Sequence, residues 1–130
     1  MKRELDRLDR FMHGTRSPSR VRMLLQQAMW DGANIFRTAP ELKTALAATG
    51  VLADKPLKAE TPRNLGECCI VENMCLTASL ICRSALLREE SRGAHMRTDI
   101  KQSWDAEHSP FGHTFVSKKG QGIEKREVPK

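Results

Sequence analysis

Two groups of residues in this chain hold donors, acceptors or thiols at close spacing. The first contains Arg92, Gly93, His95, Arg97 and Asp99. The arginines present planar donor forks that suit carboxylates or carbonyls on a facing surface. A glycine at position 93 can take a positive φ and lets another backbone come close. Read for function, these five residues form a docking edge. Read plainly, they are a glycine helix cap with solvated charges and a local Arg97–Asp99 pair.

The second group is Cys68, Cys69, Cys75 and Cys82. Cys68, Cys75 and Cys82 share a helix face, but successive members stand about 10 Å apart, whereas metal ligands converge within a few ångströms. They read as small buried hydrophobes. All four fall in one predicted helix and cannot staple distant loops, which fits a reducing, cytoplasmic setting. His95, His108 and His113 have no ligand spacing to them. Metal is not expected, and no acid, base and nucleophile stand in a catalytic arrangement.

Four helices must position these groups. The first spans about Arg3–Met12, with Leu5, Leu8 and Met12 on one face and Gly14 as its stop. Ser17-Pro18 opens the second, whose stripe runs through Val21, Leu24, Leu25, Ala28, Gly32 and Ile35. Thr38 and Glu41 have the spacing of a capping box for the third, which carries Leu42, Ala45 and Leu46 and is expected to end at Gly50. Asn64 and Glu67 look like a second box, opening a fourth helix that reaches about Glu90. Apolar residues wrap nearly its whole circumference, so it should be a central post covered on several sides. Trp30 lies off the stripe of the second helix and needs cover from a partner or from the Trp104 tail. Beyond Ser91, His113–Ser117 and Ile123–Val128 flank Lys119-Gly120-Gln121-Gly122 as a small hairpin that must lean on the helices.

Composition agrees with a helical reading. The 130 residues suit one domain, a helical part over about 1–91 and a tail over about 92–130. With two Trp, four Phe and no Tyr, the core must come from Leu, Met, Ala, Val, Ile and Cys, which favours helix over strand. The formal net charge is +6, but cations alternate with acids from Lys2 to Arg10, as on a solvated helix face. Nucleic acid is therefore not the expected partner, although a free-standing basic helical module that binds protein or nucleic acid stays open. The charged N-terminus does not read as a signal peptide. Met74–Cys82, the most apolar stretch, is too short to insert directly in a membrane.

The run Arg88-Glu89-Glu90-Ser91-Arg92-Gly93-Ala94-His95-Met96-Arg97-Thr98-Asp99 closely resembles the R-x-E-S-R-G-A-H-x-R-x-D signature of the succinate dehydrogenase/fumarate reductase flavoprotein family. Ile35-Phe36-Arg37-Thr38 is similar to that family's G-I-[FY]-R-type turn, and His113-Thr114-Phe115 to its K-H-T-L-type strand. The resemblance covers essentially the whole chain in order. It implies a mainly α, three-to-four-helix bundle (spectrin-repeat-like) with a small C-terminal β-hairpin extension. It also implies a C-terminal domain or separate subunit of an FAD-dependent oxidoreductase. Such a chain would brace FAD-binding and capping domains in cis or as a separate chain, alongside an iron–sulfur subunit, with membrane association only through other subunits. In the enzymes it resembles, a hydride passes between flavin and a dicarboxylate, aided by residues of domains absent here. This chain has no strand–G-x-G-x-x-G–helix unit and no flavin-attaching histidine motif. The expectation is thus no catalytic residue and no cofactor in this chain, FAD in the parent or partner, and a docking role for Arg92, Gly93, His95, Arg97 and Asp99.

Overall fold

The computed structural model describes residues 2–101, 113–116 and 123–126. Trp104, His108 and the Lys119–Gly122 turn lie outside the described residues. Four helices follow in order: α1 (Lys2–Met12), α2 (Pro18–Gly32), α3 (Ala39–Asp54) and α4 (Pro62–Leu87). Between α2 and α3 lies β1 (Phe36–Arg37), and after α4 come β2 (Met96–Arg97), β3 (His113–Val116) and β4 (Ile123–Arg126). The helices α2, α3 and α4 each pack on the other two, and α1 lies against α4. The mainly helical bundle with a strand extension is therefore the fold.

Hydrophobic burial explains the bundle. Val21 and Leu25 from α2, Leu52 from α3 and Cys68, Val71, Cys75 and Ala78 from α4 share one core, joined by Phe11 of α1 and by Leu57 and Ala59 of the α3–α4 connection. Each fully buried Leu or Val adds on the order of 1.5–3 kcal/mol relative to exposure. Gly32 of α2 lets α3 approach closely: a Cβ there would stand 2.6 Å from the Glu41 carbonyl oxygen and 2.7 Å from the Ala45 Cβ.

The predicted faces need correction. In α1 it is Phe11 that is buried, while Leu5 and Met12 are 60% and 62% exposed. In α2, Val21, Leu25 and Gly32 are buried, Leu24 is exposed, and Ile35 lies beyond the helix end. Gly14 is buried where the chain crosses the α3–α4 connection; a Cβ would come within 1.9 Å of the Leu57 carbonyl oxygen. Trp30 is 69% exposed among the described contacts.

α4 is not buried on all sides. Its buried residues Cys68, Val71, Cys75, Ala78, Cys82 and Ala85 alternate in steps of three and four, a single seam turned toward the bundle. Ile70, Leu76 and Ile81 stay exposed. This 26-residue helix has an 18-residue window of mean hydropathy 1.4, long and apolar enough by composition to cross a membrane. That window is longer than Met74–Cys82, and here it serves as the core helix of the bundle.

Helix ends match the reading at the start of α3 and differ from it at the start of α4 and the end of α3. The Thr38–Glu41 capping box is present in both directions, with Thr38 N–H donating to Glu41 Oε2 at 2.9 Å and Glu41 N–H to Thr38 Oγ1 at 3.4 Å. For α4, however, the cap is Thr61, whose Oγ1 accepts from Asn64 N–H at 3.2 Å, with Pro62 at the helix start. Glu67 instead pairs with Arg22 at 3.4 Å. α3 passes through Gly50 to Asp54, because Leu52 is buried in the core beyond it and an isolated helical glycine costs only about 1 kcal/mol. Arg16 Nη1 then donates to the Val51 and Leu52 carbonyls at 2.9 and 3.2 Å, capping the end of α3 from another segment.

Gly50 and Gly32 should therefore respond in opposite directions. Gly50→Ala, where a Cβ meets nothing within 4 Å, should raise stability by about 0.5–1 kcal/mol. Gly32→Ala should lower it by about 1–3 kcal/mol through overpacking. Urea unfolding midpoints of the two variants check both signs.

Candidate functional site

The Arg92–Asp99 segment leaves α4 at Arg88 and returns across the ends of α3 and α4. Its first feature is a tight turn. Arg92 N–H donates to the His95 carbonyl at 2.8 Å and His95 N–H to the Arg92 carbonyl at 3.0 Å. Gly93, at φ +57, takes the left-handed position at the first centre of the turn, while Ala94 does not, which is the II′ hairpin pattern. The requirement on Gly93 is conformational, since a Cβ there would meet nothing within 4 Å. Gly93 is thus a turn residue, and α4 ends earlier at Leu87 with no glycine cap.

Behind the turn the chain forms a short parallel pairing with β1, Phe36 beside Met96 and Arg37 beside Arg97. Met96 N–H donates to the Ile35 carbonyl at 3.0 Å and Thr98 N–H to the Arg37 carbonyl at 3.1 Å. Ser91 Oγ closes the base by accepting from Arg97 N–H at 2.9 Å. The turn is therefore held to the α2–α3 connection as well as to α4.

Arg97 is the centre of this region, with its side chain 4% exposed. Nη1 donates to the Ala85 and Arg88 carbonyls at 3.3 and 3.2 Å. Nε and Nη2 meet Asp99 Oδ1 and Oδ2 at 2.8 and 2.9 Å, a bidentate pair. Asp99 Oδ2 in turn accepts from Ala39 N–H at 2.8 Å, the first residue of α3. A cation thus sits at the carbonyl end of α4 and an anion at the amide end of α3, each at the helix pole that favours it. The Arg97 guanidinium and the Ala39 amide hold the Asp99 carboxyl well below the usual carboxylate range.

His95 also turns inward, its Nε2 3.0 Å from the Arg88 carbonyl oxygen. Burial pushes its pKa down, the carbonyl bond opposes this, and the charges of Arg37, Arg97 and Arg88 add to the lowering. Next to it, Arg88 pairs with the fully buried Glu90.

Of the five predicted residues, the fold brings all into one segment but separates their tasks. Arg97, Asp99 and His95 bond within the chain, so the fork of Arg97 meets internal carbonyls and a carboxylate rather than a facing surface. Arg92 and Gly93 stand at the turn tip with Ala94, away from those bonds. Sequence reasoning placed the local Arg97–Asp99 pair but missed Ser91 and Ala39 as its supports. The signal available for Ser91 was only its place in the signature.

Cys68, Cys75 and Cys82 are buried free thiols, and burial pushes all three pKa values up. Cys82 Sγ lies 3.7 Å from Met29 Sδ. Among the described residues, no group of three or more His, Cys, Asp or Glu is arranged to hold a metal.

The family described as fumarate reductase flavoprotein C-term matches residues 22–129, which takes in α3, α4 and the Arg97 region. The chain belongs to this family. One subunit of the fumarate reductase (CoM/CoB) of Methanothermobacter marburgensis is 39% identical over 101 residues, covering 73% of this chain and 18% of that protein. A mitochondrial succinate dehydrogenase (ubiquinone) flavoprotein subunit of Xenopus laevis is 34% identical over 108 residues, covering 78% of this chain and 16% of that protein. In structure, an FrdA chain of E. coli quinol fumarate reductase superposes with a TM-score of 0.75 at 22% identity, over 95% of this chain and 23% of that one. This flavoprotein C-terminal domain thus spans less than a fifth of the first two relatives.

Removing the central cation of the domain should be costly. Arg97→Met leaves two carbonyls and a carboxylate short of a partner and should lower stability by about 3 kcal/mol. His95 sets a pH dependence: unfolded, it takes up a proton near the ordinary 6.5, but folded it resists until a lower pH. Its contribution is therefore complete above that ordinary value and is lost as pH falls through the lowered one. Urea titrations at stepped pH should show this loss, and His95→Gln should flatten it.

Proposed function

We propose that this chain braces the flavin-bearing part of a succinate dehydrogenase/fumarate reductase-type oxidoreductase, contributing interface and rigidity and no catalytic group. The observation that carries the reading is the Arg92–Ala94 tip, set on a base locked to two helix ends. Such a tip presents a fixed edge, which a domain needs in order to hold a neighbour in register. The lengths of the relatives supply the neighbour, since most of each lies outside the matched region.

In this reading FAD belongs to the parent or partner, and the start of α3 does not suit its pyrophosphate. A pyrophosphate would seek the amides of a helix N-terminus after a glycine-rich turn. At α3 those amides already face the carboxylates of Glu41 and Asp99, and a further anion there would meet like charge. His95 Nε2 faces a backbone carbonyl, so it is not poised as an acid or base toward a substrate. In this reading the FAD-binding and capping domains are the direct partners. An iron–sulfur subunit completes the assembly, the setting is cytoplasmic, and any membrane attachment comes through other subunits.

The rival reading is a free-standing basic module. Part of the basic charge is met locally, as in Arg7–Glu72, Arg22–Glu67, Lys58–Glu60 and Arg97–Asp99, which weakens a nucleic-acid footprint.

A pull-down with the tagged chain from lysate of its own source separates the two. A larger partner carrying flavin absorbance, retained through moderate salt and lost with Arg92→Ala or Gly93→Val, is the expected result. A colourless chain that binds DNA with steep salt dependence would instead establish the basic module.

A further inference from the structure

Arg37 is a half-buried arginine whose guanidinium the fold satisfies only in part. Its Nε is buried without a hydrogen-bond partner, and Nη2 has only a long contact to the Ala94 carbonyl at 3.4 Å. No carboxylate among the described residues pairs with it, whereas Arg7, Arg22, Arg88 and Arg97 each have one. Arg22 Nε is also buried without a partner, but its Nη2 reaches Glu67. Burial pushes the Arg37 pKa down, and the charge of Arg97 adds to this. A buried donor without an acceptor is unfavourable, so the Arg37 Nε works against the stability of the isolated chain.

The surroundings indicate what would resolve it. Phe36, next to Arg37 in β1, is 67% exposed, and its cross-strand partner Met96 is exposed as well, as is Ile35. Arg37 lies under the Arg92–Ala94 tip through its contact with Ala94. Exposed apolar side chains next to a guanidinium suit an interface, because their burial excludes water and a charge pair formed beside them gains strength and direction. A carboxylate is the matching ligand, because it can accept from a guanidinium edge in two parallel bonds.

We propose that Arg37 is the ion-pairing anchor of the interface with the flavin-bearing part, taking an Asp or Glu carboxylate of that part while the neighbouring exposed Phe36 and Met96 are buried by the same partner. This rests on the bracing reading, which supplies the occupant; the exposed apolar pair and the unmatched positive charge supply the place and chemistry. Arg92 then stands at the rim and Arg37 at the centre.

The test co-expresses the tagged chain with the FAD-binding and capping segment of its own flavoprotein and measures captured flavin. Arg37→Gln should lower capture roughly tenfold, the scale of losing a buried charge pair across an interface, and should leave the urea midpoint of the free chain equal or higher. Arg37→Lys, treated with a carbodiimide, should cross-link at that position to one Asp or Glu of the flavin segment, mapped by mass spectrometry. Equal capture by Arg37→Gln overturns the anchor alone, as does a cross-link map with no acidic partner at that position. A lower midpoint for the free Arg37→Gln chain also overturns it, by making Arg37 a structural residue of this domain. Failure of the unaltered chain to capture any flavin segment overturns the bracing reading and the anchor together.

Discussion

The Arg97–Asp99 pair is the constraint on which the described structure turns. A helix leaves unpaired carbonyls at one end and unpaired amides at the other, and both must find partners. Here one residue pair serves two helices: Arg97 takes carbonyls at the end of α4, and Asp99 takes the first amide of α3. The two side chains are then joined by two short bonds. Geometry at the exit of α4 and the entry of α3 is thereby coupled, and the intervening turn inherits its position from both.

Arg16 repeats the device at the other end of α3, donating to Val51 and Leu52. Nearby, Thr15 N–H donates to the Pro56 carbonyl at 3.1 Å and Lys58 N–H to the Arg16 carbonyl at 2.8 Å, binding the α1–α2 link to the α3–α4 connection. Neither α3 nor α4 ends on a glycine in the left-handed conformation. Their ends are set by arginines outside the helices, Arg16 for α3 and Arg97 for α4. A helix closed in this way depends on the whole fold, so its termini and the connections that cap them should form and melt together.

This arrangement bears on function. A domain whose helix ends are tied to its loops can present a short turn without letting it wander, and Arg92–Ala94 is such a turn. The same tie brings Arg37 beside the already paired Arg97 and leaves it half-buried, with no acid paired to it among the described residues. Two arginines in register on adjacent strands thus have opposite roles: one closes the domain, and the other is left for a surface outside it.

Much was legible in the chain itself. Four helices, the Thr38–Glu41 box, the buried cysteine face, the Arg97–Asp99 pair and the antiparallel pairing of His113–Val116 with Ile123–Arg126 all follow from local propensity and spacing, because these depend on residues close in sequence. Tertiary structure decided the rest. Whether Gly50 stopped α3 depended on where Leu52 could be buried. The buried face of α1 was set by Phe11 meeting α4's core, and the two-residue strands β1 and β2 are too short to show a period. Arg97 and Arg37 are alike as residue types, each a fork able to bind a carboxylate. Only the folded chain places Asp99 against one and, among the described residues, no acid against the other, because the partner of a charge is chosen by proximity in space.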